Sequence, residues 1–122
     1  EMVEFYHAIR ETLVANQKAL ESNISDTHRK EIMDALGKAA SDYRNHIYQN
    51  GFWGKKRSIS VEGLKLFTKV SIQFLEHSIN SNERADHLYH AYNLMSIHEN
   101  EVKMSYLNEM LEGQVAVLSS KY

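Results

Sequence analysis

Not one of the 122 residues is a proline, and that omission constrains the fold more than any residue the chain contains. Proline ends helices and shapes loops, so a chain without it is free to run in long helices joined by short turns. The apolar residues follow the same plan. Met2, Phe5, Tyr6, Ile9, Leu13 and Leu20 keep the three-and-four spacing of one buried helix face. The polar run Ser22–Thr27 interrupts them, and Ser25 or Asp26 can cap the next helix by accepting a backbone N–H from its first turn.

A second helix is predicted from Thr27 to about Tyr48, with Ile32, Met33, Leu36, Ala40, Tyr43 and Ile47 inward. Gly37 inside it costs roughly 1 kcal/mol relative to alanine, which close packing against a neighbour would explain. Asn50 and Gly51 end it, since both tolerate the left-handed conformation that terminates helices. A third helix starts at the capping residue Ser60 and runs to about Ile79. Leu64, Leu66, Phe67, Val70, Ile72, Phe74, Leu75 and Ile79 cover more than half its circumference, the mark of a helix buried by several neighbours. It is the predicted centre of the domain. A fourth helix is predicted from about Glu101 to Leu118, with Val102, Tyr106, Leu107, Met110, Leu111, Val115 and Leu118 inward. The expected fold is therefore all-α: one four-helix, bundle-like domain over residues 1–122, with helices near 2–22, 27–49, 60–80 and 100–119 and antiparallel neighbours. Because the chain starts at Glu1 and stops just after the fourth helix, it reads as a segment of a larger helical (α/α) region.

Charge and composition exclude several classes of function. Apolar residues make up 43 % and charged residues 25 %, ordinary for a globular domain. No stretch approaches the roughly 18 apolar residues of a membrane span, and no leader-like segment opens the chain. With no cysteine, there is neither a disulfide framework nor a thiolate metal site, and a cytoplasmic setting is expected. The net charge of −2, with acids and bases interspersed, argues against nucleic acid as a partner.

Four groups of residues could carry chemistry. His87, His90, His98 and Glu99 are types that bind zinc or iron, but they lack an HExxH or ExxH spacing, so no metal or other cofactor is expected. Glu109 and Glu112 could divide acid and base roles, although a solvated helix face is the commoner origin of such a pair. Phe52, Trp53, Lys55, Lys56 and Arg57 could grip a phosphate; the more ordinary expectation is that both aromatics tuck over helix ends. The last group is the polar, tyrosine-bearing segment from Arg84 to Asn93. Arg84, Asp86, His90, Tyr92 and Asn93 together mix hydroxyl-binding groups with an aromatic platform, which suits a carbohydrate. A hydrogen-bonded connector between helices would use the same residues, and an irregular but ordered connector is expected here.

RADHLYHAYNLM, followed by YLNEMLEGQVAVLSS, resembles a segment of large bacterial cellobiose-phosphorylase-like proteins, over about residues 84–120. The resemblance implies a helical, α/α-toroid-like setting in a carbohydrate-active protein, with the remaining domains of a larger parent chain as partners. The chain departs from that pattern at His87 and Lys121, where glycine is expected. No catalytic residue carries over, so the implied role is structural, with a substrate-facing loop and no complete active site. A noncatalytic helical module that binds a protein is the alternative. A concave pocket at Arg84–Asn93 would favour the first reading, and an exposed apolar groove the second.

Overall fold

In the computed structural model, residues 1–52 and 54–120 are described; the expectations for Trp53 and Lys121 fall outside them. The helices are α1 (Met2–Ala15), α2 (Asp26–Asn50), α3 (Val61–Asn80) and α4 (Leu111–Ser120), with a 3₁₀ turn over Gln17–Glu21 after α1. Strands β1 (Leu94–Ile97) and β2 (Val102–Ser105) form an antiparallel hairpin between α3 and α4. The domain is thus mostly helical but not all-α.

The start and stop signals work as the residues dictate. Ser25 Oγ accepts from His28 N at 3.2 Å, and Ser60 Oγ accepts from Gly63 N at 3.0 Å. Gly51 ends α2 with φ at 69°. The first helix stops sooner than its apolar pattern does. Asn16 turns its amide back to the Thr12 carbonyl at 2.8 Å and offers its oxygen to the His28 ring at 2.6 Å. This side chain offers the backbone an alternative to the next helical bond, so the chain tightens into 3₁₀.

Helix α1, not α3, occupies the middle. Phe5 stacks on Tyr43 of α2 with ring centroids 4.9 Å apart, and Asn16 meets His28, so α1 and α2 run antiparallel. On its other side Tyr6 meets the Phe67 ring edge-on at 5.5 Å, and Gln17 donates to Gln73 at 2.9 Å, so α3 runs parallel to α1. Gly63 is fitted to this contact, since a Cβ there would stand 3.0 Å from Tyr6 Oη. Gly37 has no neighbour within 4 Å, so close packing does not explain it.

The core is thin. Tyr6, Leu13, Ile32, Val70 and Val102 are its buried apolar members. Phe67 and Phe74 are only half-buried. The accessible surface is 9087 Å², about a third more than the roughly 6,800 Å² of a compact domain of this mass. Part of the exposed apolar surface lies on α3. Val70 is 1 % exposed, whereas Leu64 is 44 % and Ile72 47 % exposed on the opposite face, beside exposed Val61 and Leu75. Helix three is therefore not wrapped by neighbours. Its apolar circumference is one core face plus one free face.

The start of the predicted fourth helix is strand. Val102 and Met104 point one way and Lys103 and Ser105 the other, a period of two. They pair with Leu94–Ile97 in register, Ile97 opposite Val102 and Leu94 opposite Ser105. His98 N donates to Glu101 O at 2.9 Å and closes the turn. Val102, fully buried, sits against α2, and its carbonyl accepts from Arg29 Nη1 at 2.8 Å. Helix α4 begins only at Leu111. Leu111, Val115 and Leu118, predicted inward, are exposed, Leu118 by 78 %. Among the described residues no helix is long and apolar enough to cross a membrane.

Candidate functional site

The segment between α3 and β1 is irregular yet closely held. After Asn80 the backbone turns, and Glu83 forms an isolated antiparallel bridge with Tyr89. Arg84 N donates to Leu88 O at 2.8 Å and His90 N to Asn82 O at 2.8 Å, so the two arms of the loop are laced by main-chain bonds. Asp86 Oδ1 accepts from Leu88 N inside the loop. The reversal needs left-handed residues, and the chain supplies none of its glycines. His87 adopts φ 60° and Tyr92 φ 55°.

Each side chain singled out in the sequence has a definite place. Arg84, 16 % exposed, meets Asp86 Oδ2 and Glu109 Oε1, both at 2.7 Å. Asp86 loses hydration beside them, which pushes its carboxyl up. The Leu88 N–H and the Arg84 guanidinium outweigh this and hold it below the usual carboxylate range. His90 stacks on Tyr106 with centroids 3.8 Å apart and planes 13° apart, tying the loop to the segment after β2. Tyr92 donates to Glu112 Oε2 at 3.1 Å, and this bond and the carboxylate charge push its phenol up. Asn93 donates to Asn82 Oδ1 at 2.6 Å.

Residues that sequence reasoning missed complete the clasp. Gln114 of α4 spans both groups of the Tyr89 peptide, accepting from its N–H at 2.8 Å and donating to its carbonyl at 2.7 Å. Gly113 lets α4 come close, since a Cβ there would overlap the Ala91 Cβ. A glutamine beside a glycine in a short helix was the available signal. The two glutamates do not act as a pair: Glu109 answers Arg84 and Glu112 answers Tyr92.

The other constellations are dispersed. His87 pairs with Glu83 at 3.0 Å, His90 stacks, and the backbone of His98 closes the hairpin turn. No cluster of three or more acidic or histidine side chains positioned to hold a metal ion occurs among the described residues. Phe52 is exposed instead of tucked over a helix end, and Arg57 lies 3.6 Å from Glu4.

Within the Arg84–Asn93 segment, Arg84 Nη1, His90 Nδ1 and Asn93 Oδ1 are buried without a protein partner. Open grooves lie elsewhere on the surface. One of about 890 Å³ runs between the 3₁₀ turn and the end of α3, beside Leu20, Gln73 and His77. Another, about 590 Å³, follows the outer face of α3 along Val61, Leu64, Thr68 and Ile72. Compared with known proteins, the chain matches no family model and no curated protein.

Proposed function

We propose that this chain is a noncatalytic interaction module that docks an apolar helix along the outer face of α3. The observation that carries this reading is the second apolar face of one helix. Val61, Leu64, Ile72 and Leu75 repeat at helical spacing on the side away from Val70 and are exposed, and the first three line an open groove. Helix-in-groove recognition reads this pattern, with anchors three and four residues apart. Burying a large aliphatic side chain is worth about 1.5–3 kcal/mol, so four half-exposed ones hold useful binding energy. In this reading the Arg84–Asn93 clasp fastens the hairpin and α4 to the helical core.

A second reading keeps the clasp as a carbohydrate contact in a phosphorylase-like protein. The unpartnered Arg84 Nη1, His90 Nδ1 and Asn93 Oδ1 favour it, because sugar hydroxyls both donate and accept. Nitrogen-15 NMR titrations separate the two. A designed amphipathic peptide with a leucine face should shift the amides of residues 61–76, while glucose, cellobiose and phosphate at tens of millimolar leave residues 82–93 unmoved. Sugar-dependent shifts confined to 82–93, with α3 silent toward the peptide, would transfer the conclusion to the carbohydrate reading.

A further inference from the structure

We infer that the outer face of α3 binds the same face of a second copy of this chain, the two helices running antiparallel. This rests on the docking reading above and names its partner.

The face is self-complementary about a two-fold axis. In the register centred near Val70, Val61 lies level with Ile79 of the second copy and Thr68 with its Ile72, while Leu64 falls one residue from its Leu75. Aliphatic therefore meets aliphatic along most of the stripe. The rims agree as well. Glu62, Lys65, Lys69 and Glu76 follow one side of the stripe, and Ser60, Ser71 and Ser78 the other. An antiparallel two-fold sets charged rim against charged rim and serine rim against serine rim. Lys65 then falls within one residue, a rise of about 1.5 Å, of the second copy's Glu76, and symmetry makes that pair twice. Lys69 meets its counterpart near the two-fold, but further out toward water, where like charges are screened.

Size sets the strength. Helix α3 has 20 residues, so it offers a strip about 30 Å long. One helix face per copy is at the small end of specific interfaces. The association should accordingly be reversible, with a dissociation constant on the order of 100 μM.

Sedimentation velocity of the full 122-residue chain from about 5 to 500 μM, a range that brackets the expected dissociation constant, tests this. The average mass should rise from 14.2 kDa toward twice that value. Ile72→Glu should abolish the rise. Lys65→Glu and Glu76→Lys should each weaken it about tenfold, because two symmetric pairs are lost at once, and the double exchange should restore it. Circular dichroism on every variant, with Leu64→Gln as a milder stripe substitution, separates lost association from lost folding. A chain monomeric at every concentration overturns the inference, as does a dimer indifferent to Ile72→Glu. If the monomeric chain still shifts its α3 amides with the model peptide, the docking reading stands and only the partner is wrong.

Discussion

The left-handed backbone at His87 gives a sharp test of the clasp. With φ at 60°, His87 sits where an L-residue crowds its Cβ against the following carbonyl, at a cost of roughly 1–2 kcal/mol. Glycine removes that crowding but has more freedom to lose on folding, which takes back roughly 0.5–1 kcal/mol. The imidazole contributes little to offset the exchange. Its side chain is 87 % exposed, and its contact with Glu83 is a surface pair. His87→Gly should therefore leave stability unchanged or raise it by up to about 1 kcal/mol, whereas His87→Ala keeps the crowding and loses the ring. The glycine variant should exceed the alanine variant by about 1 kcal/mol, or about 4 °C in melting temperature for a chain of this size. Urea and thermal melts of the two variants and the parent measure this directly. An alanine variant as stable as the glycine one would mean that residue 87 is not left-handed in solution, and the clasp would have to be redrawn.

Other perturbations probe other parts of the fold. Gly37→Ala should raise the urea-melt stability by about 1 kcal/mol, since a Cβ there meets open space in mid-helix; a loss would reveal an unrecognised neighbour. Gly113→Ala should push α4 off Ala91 and cost about 1–3 kcal/mol, read as faster amide exchange in residues 111–120 and at Tyr89. The Tyr92 phenol, raised by its bond to Glu112, should titrate above the ordinary tyrosine value in an ultraviolet pH titration. Because its folded pKa is the higher one, its stabilisation is complete below the unfolded pKa of about 10 and is lost as pH rises through the folded value. Glu112→Gln should bring the titration back toward normal.

The local signals legible in the sequence were those of single residues and single faces. Ser25, Ser60 and Gly51 mark helix ends because a cap is a bond between near neighbours. The spacing from Met2 to Leu13 and from Leu64 to Ile79 specifies helices for the same reason. Periodicity says that Ile72 and Val70 are both apolar but not which one a neighbour covers. The packing of α3 against α1 and the 3₁₀ turn, through Tyr6–Phe67 and Gln17–Gln73, leaves Val70 in the core and Ile72 outside. The hairpin was masked because Val102, Tyr106, Leu107 and Met110 also fit a helical period, while the alternation that betrays β2 lasts only four residues. The Arg84–Asn93 segment was legible as an ordered polar connector. Its engagement with α4 through Gln114 and Gly113 was not, since that depends on where a later helix lands.

The most direct measurement compares two faces of α3 by equilibrium urea unfolding at a few micromolar protein, below self-association. Val70→Ala removes two methyl groups from a side chain 1 % exposed and should cost about 2–3 kcal/mol. Leu64→Gln combined with Ile72→Gln, on the open face of the same helix, should change stability by less than about 1 kcal/mol. A double variant that loses as much as Val70→Ala would show that the outer face is already covered, and the docking surface would not exist.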